Sequence, residues 1–228
     1  RKEGTYRFGW LCESKEIVKQ MYQSLYMDHK KYFEHFDAIF TCDEDLIQLD
    51  SRFIFALSGS NLPWTPVEDF GIHDKNKMCS LLASPKLMTN GHRLRHEWAE
   101  KLKNEIDVYG GVGGSSKVGT DGFASAAHPP KQEALKDYRF SITIENASYR
   151  HYFTEKITDC FANGTIPVYW GCPNIGDYFN TDGIIQLDDS FDINDLTEEL
   201  YENKMDAIKD NFERVKTLIY RFSFSKIQ

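Results

Sequence analysis

Short apolar runs alternate along the chain with stretches whose apolar residues recur at helical spacing. Phe8-Gly9-Trp10-Leu11, Ala38-Ile39-Phe40-Thr41 and Phe53-Ile54-Phe55-Ala56-Leu57 have the length and residue types of strands. Between the first two, Ile17, Val18, Met21, Tyr22, Leu25 and Tyr26 form one helical stripe, with Ser14 placed to cap it. Residues 58–66 are dense in turn formers, and polar Asp74-Lys75-Asn76-Lys77 follows, which predicts a linker. The alternation then restarts. Strands are predicted over 78–83, 106–109, 140–144, 165–170 and 184–187. Helices are predicted over 91–103, over 154–163 with Gly164 as the C-terminal stop, and from 195 to about 220. Residues 110–130 read as a glycine-rich loop. Strands and helices in this order imply parallel sheets with helices on their faces. The expected fold class is α/β, with two Rossmann-like units meeting at a cleft, residues 1–72 and 73–228.

Composition narrows the function. With 228 residues, 41% of them hydrophobic and 27% charged, the chain is of globular make-up, and disorder, collagen and coiled coil are excluded. No run approaches the ~18 apolar residues of a membrane helix, and nothing near Arg1 resembles a signal peptide. The absence of an initial Met leads us to expect a missing N-terminal segment. The five cysteines (Cys12, Cys42, Cys79, Cys160, Cys172) have no zinc spacing and read as reduced, mostly buried thiols. The expected localisation is cytoplasmic, with any membrane association carried by segments absent from this chain. Within 188–210 there are nine acidic residues against two lysines, which accounts for most of the net charge of −8. The rest is close to neutral, so a nucleic-acid surface is not expected, while a local anion site is compatible with it.

The densest chemistry falls at one strand-to-helix turn, from Glu145 and Asn146 through Tyr149, Arg150, His151 and Tyr152 to Thr154, Glu155 and Lys156. A helix N-terminus favours phosphate, Lys156 adds a cation, and Glu155 suits ligand hydroxyls. On these residues alone a plainer reading stays open, in which Glu155 complements the helix dipole and Lys156 is solvated. Asn146-Ala147-Ser148 and Asn163-Gly164-Thr165 match the glycosylation pattern but are discounted. Asp43-Glu44-Asp45 and Asp188-Asp189 are not spaced to serve that turn as a metal motif, so no obligatory metal is expected; a divalent ion would at most stimulate.

Residues 140–157 (FSITIENASYRHYFTEKI) and 165–173 (TIPVYWGCP) closely resemble glycosyltransferase family 10, the α-1,3/1,4-fucosyltransferases that use GDP-fucose. Ile144 stands where the family usually has Phe. Weaker similarity covers Ser84, Arg95, Trp98, Leu102 and Val108 to Gly110, and places Arg95 on the donor diphosphate. Glu13, at the end of the first strand, falls where the resemblance puts the catalytic base; alone it would read as helix capping. The resemblance implies a GT-B-like fold whose first unit is incomplete, with Arg95, Glu145, Asn146, Tyr152, Glu155 and Lys156 binding the donor. It implies inverting transfer of fucose from GDP-fucose to a hydroxyl of an oligosaccharide acceptor. The glycine-rich segment 109–114 is expected near the guanine or ribose. Transfer of another GDP-linked sugar, and a non-catalytic nucleotide-sugar-binding domain, remain the alternatives.

Overall fold

The computed structural model describes residues 4–58, 61–110 and 132–223. Its strands form two parallel sheets. The first holds β1 (Phe8–Trp10), β2 (Ala38–Thr41) and β3 (Phe53–Phe55) in that order, joined through α1 (Lys19–Tyr32) and α2 (Glu44–Leu49). The second holds β4 (Lys77–Ala83), β5 (Asp107–Gly110), β6 (Tyr138–Ile144), β7 (Ile166–Trp170) and β8 (Ile185–Gln186) in the order β5-β4-β6-β7-β8. Its helices are α3 (Asn90–Lys101), α4 (Glu155–Ala162), α5 (Glu198–Asn203) and α6 (Met205–Ser223). This is the expected α/β architecture, GT-B-like, with a short first unit.

Each sheet follows from its residues. In the second, Leu81, Phe140, Ile142, Ile144, Ile166 and Val168 are buried against Trp98, Leu102, Tyr201 and Ile208 on one side. Tyr169 joins Phe153, Ile157, Phe161, Phe179 and Val215 on the other. Both faces are covered, which is why these strands read as near-continuous apolar runs. In the first sheet, Ile39 and Phe53 pack with Tyr22, Leu25 and Leu46 beneath α1 and α2. Paired residues of parallel strands share a face, and the register aligns Trp10 with Phe40 and Phe40 with Ile54. That other face is apolar and open: Phe8 is 58% and Trp10 43% exposed.

Local departures have local causes. The acidic triplet 43–45 opens the helix α2, which periodicity missed: Asp43 Oδ1 accepts from the Asp45 and Leu46 amides at 3.1 and 3.2 Å, while its Oδ2 takes Lys15 Nζ at 3.2 Å. Ser14 Oγ accepts from Ile17 N at 3.3 Å, so it starts a turn that leads into α1 and does not cap the helix itself. The single helix expected from 195 to 220 breaks at Lys204, where the α5 carbonyls of Tyr201 and Glu202 receive its amide. Gly164 adopts φ +64° just past α4, the left-handed stop expected of it. All five cysteines are free thiols. No described helix is long and apolar enough to cross a membrane.

Candidate functional site

Taken in chain order, the second sheet runs 2-1-3-4-5, so its order reverses between β4 and β6, and a crevice opens beyond their carboxyl ends. The residues of sequence interest gather there. A cavity of about 230 Å³ is lined by Glu13 from the end of β1 and by Arg95 of α3. Asn146, Tyr152, Glu155 and Lys156, from the β6–α4 turn and the start of α4, line it too. Glu145 is the exception and is not among the lining residues.

The turn is held from inside. Glu145 is fully buried; its Oε1 accepts from Thr154 N at 2.8 Å and its Oε2 from Thr154 Oγ1 at 2.7 Å. Lys156 Nζ lies 3.8 Å from the same carboxylate and donates to Thr154 Oγ1 at 3.0 Å. Burial raises the Glu145 pKa, and Lys156 opposes that rise. Glu145 therefore fixes the N-cap of α4 and presents Lys156. At α4 the Thr154 amide is taken by Glu145 and the Lys156 amide by Thr154 Oγ1 at 3.4 Å; at α3, Asn90 N is taken by Glu16 at 3.1 Å, Gly91 N by the Asn146 carbonyl at 3.2 Å and His92 N by Thr89 at 3.2 Å. Arg95 and Lys156 place side-chain cations beside these helix ends.

Arg95 is buried at the cavity wall, with Nε on the Ile144 carbonyl at 2.8 Å and Nη2 on Asn146 Oδ1 at 2.6 Å. These bonds use two of its five donors and aim the planar fork across the end of β6. The close packing of α3 on that strand end depends on Gly91, where a Cβ would fall 1.8 Å from the Glu145 carbonyl oxygen. Tyr152 is buried, stacked on Tyr149 at 4.7 Å between centroids, and its hydroxyl has no hydrogen-bond partner among the described residues. Burial and the nearby Glu145 and Glu13 raise its pKa, so it stays protonated as a hydroxyl.

Other residues of the cavity carried no signal in periodicity or motif: Trp64, Lys86, His92 and Asp159. Asp159 Oδ1 accepts from Trp64 N, Thr65 N and Thr65 Oγ1 at 2.7, 2.8 and 3.0 Å, which anchors the linker to α4. The first sheet is braced to the turn by His151 Nε2 on Glu44 at 2.9 Å and by Lys15 over the Tyr149 ring at 4.7 Å. The loop expected at the guanine or ribose lies, over 111–114, outside the described residues. Tyr109 is turned to Tyr138 at 2.9 Å and is not among the lining residues. Both glycosylation-pattern asparagines are buried.

A two-unit α/β protein with charged side chains gathered at a sheet's switch point has the architecture in which open α/β sheets place their ligand sites. The family model for the C-terminal region of glycosyltransferase family 10 (fucosyltransferase) matches residues 72–215, and the chain belongs to that family. It is 39% identical over 59 residues to an α-(1,3)-fucosyltransferase of Helicobacter pylori, a match covering 26% of this chain and 12% of that protein. A further match, 46% identical over 44 residues, is to α-(1,3)-fucosyltransferase B of Drosophila melanogaster, covering 19% of this chain and 10% of that one. A crystal structure of an α1,3-fucosyltransferase with GDP-fucose superposes with a TM-score of 0.53 at 15% identity, covering 100% of this chain and 78% of that chain. The sequence matches thus span about an eighth or less of the curated relatives.

Proposed function

We propose that the protein is an inverting glycosyltransferase that moves L-fucose from GDP-fucose to a hydroxyl of an acceptor glycan. The observation that carries this reading is the convergence of Glu13 from the first unit with Arg95, Asn146, Tyr152, Glu155 and Lys156 on one cavity, in a chain of a fucosyltransferase family. We assign residues 1–72 to the acceptor side and 73–228 to the donor side. Arg95 and Lys156 meet the diphosphate and stabilise the charge that grows as the glycosidic bond breaks. Tyr152, Asn146 and Glu155 take the donor's phosphate and hydroxyl groups, and Glu145 acts behind them by holding Thr154 and Lys156. Glu13 accepts the proton of the acceptor hydroxyl as that oxygen attacks the anomeric carbon, through an oxocarbenium-like transition state. The acceptor enters along a groove of about 450 Å³ lined by Lys15, Lys19, Tyr22, Tyr26 and Met88, which shares with the cavity the segment after Glu13. Charge on the leaving group is met by side chains, so no obligatory metal is assigned.

The open face of the first sheet supports a second reading, a donor-binding module that does not turn over. Glu13→Gln separates the two. The transferase reading predicts transfer reduced by about 10²-fold or more with GDP-fucose affinity kept within about twofold. Unchanged transfer removes Glu13 from the mechanism.

A further inference from the structure

His92 stands in the first turn of α3, on the cavity wall, and is 3% exposed. Its Nδ1 is buried with no hydrogen-bond partner among the described residues. A buried polar atom left unpaired costs stability, and in a residue that lines a cavity it calls for a ligand atom to complete it. We propose that His92 is a further donor-site residue, which takes a proton from solvent when the donor diphosphate binds and becomes a cationic contact to it beside Arg95 and Lys156. This rests on the GDP-sugar reading above.

The charges around His92 explain why binding and protonation go together. The charges that bear on it most are positive: Arg95 from α3, Lys86 from the segment after β4, and Lys156 from α4. The carboxylates of the same cavity are Glu13, Glu155 and Asp159. Burial and these cations push the imidazole down to about 4, so at neutral pH the unliganded site holds it uncharged. A diphosphate placed among Arg95, Lys86 and Lys156 cancels that repulsion and reverses its sign. One proton enters from buffer with the donor, sits on His92 while the sugar leaves, and returns to solvent with GDP release. An uncharged imidazole in the empty site also spares the protein a further unpaired buried cation.

The test is calorimetry of GDP-fucose near pH 6 in buffers of different ionisation enthalpy, avoiding phosphate. Both phosphates of a GDP-sugar are esterified, so the ligand has none of the phosphate ionisation near ~6 that free GDP carries. The expected result is uptake of about half a proton or more per donor bound in the wild type, falling close to zero in His92→Gln. Affinity in that variant should fall about tenfold near pH 6 and less near pH 8. Normal donor binding without uptake, or uptake undiminished in His92→Gln, overturns the proposal. Absence of any donor binding overturns the GDP-sugar reading and this proposal with it. Should His92→Gln fail to fold, the wild-type buffer series still decides, together with an NMR titration of the imidazole Cε1–H signals with and without donor.

Discussion

The two sheets are built of similar residues yet solve different problems. The second is covered on both faces: Phe140 and Ile166 sit at 0% exposure beneath helices, and the cations Arg95 and Lys156 stand on α3 and α4 beyond its carboxyl ends. The first is covered on one face only. Its strands are three or four residues long, and Phe8, Trp10, Phe40 and Ile54 form an aromatic-rich surface with no helix over it among the described residues. The diphosphate site proposed above needs fixed geometry, and the fully covered sheet supplies it. The proposed base, Glu13, comes from the thinner sheet, held in place by braces such as His151–Glu44, Glu16–Asn90 and Lys15–Asp43. In the proposed mechanism, donor capture and proton transfer therefore fall to different sheets.

The comparison breaks most visibly by truncation. Phe140→Ala should lower stability by about 3–5 kcal/mol, because the cavity left between the sheet and the helices packed on it cannot collapse. Phe8→Ala on the open face should change it by about 0.5 kcal/mol or less. Denaturant midpoints at unchanged slope measure both, and similar losses would mean that the open face is packed after all.

Removing the buried anchors comes next. Glu145→Ala leaves Thr154 without its carboxylate and Lys156 with Glu155 alone, and should cost about 3 kcal/mol while also weakening donor binding. Asp159→Ala should cost about 2–3 kcal/mol by releasing the linker amides of Trp64 and Thr65, read as a fall in the unfolding midpoint. Lys75 donates to the Lys136 and Asn163 carbonyls at 2.9 and 2.7 Å and to Thr165 Oγ1 at 3.0 Å; Lys75→Met should cost about 2 kcal/mol.

The smallest effect is in pH. His92 has a folded pKa of about 4, below the ordinary histidine value of 6.5. Between pH 4 and 6.5 the unfolded chain binds a proton there that the native chain does not, so native stability from this group rises with pH across that window. His92→Gln should flatten that part of the stability curve of the unliganded protein. An unchanged slope would show that the imidazole is not held neutral in the native state.

Much of this was legible in the chain. The strand segments, the helix from Thr154 to its stop at Gly164 and the division into parallel sheets follow from apolar periodicity and turn residues. The fixed spacing from Glu145 to Lys156 marked the site. What periodicity could not carry was contact between distant segments. Glu145 looks like a ligand residue because it stands beside Asn146, but the backbone turns it inward to Thr154, so neighbouring positions of one strand end serve opposite sides. Asp43 read as part of an acidic cluster because capping shows only once the following residues are seen to be helical. His92 has nothing distinctive around it in sequence; its meaning comes from Arg95, Lys86 and Lys156 arriving from three segments. At the α4 N-terminus, periodicity predicts open amides, and only the inward turn of Glu145 reveals that the Thr154 amide already has its acceptor.

The central claim is that side-chain cations, presented by a rigid sheet, capture a GDP-linked donor. It is tested most directly by calorimetric titration of GDP-fucose, GDP-mannose and a UDP-sugar into the wild type and Lys156→Ala. The account predicts binding that prefers GDP-fucose and weakens about thirtyfold in the variant, a loss of about 2 kcal/mol. Equal affinity of the wild type and Lys156→Ala for GDP-fucose, or no binding of any GDP-sugar, would contradict it.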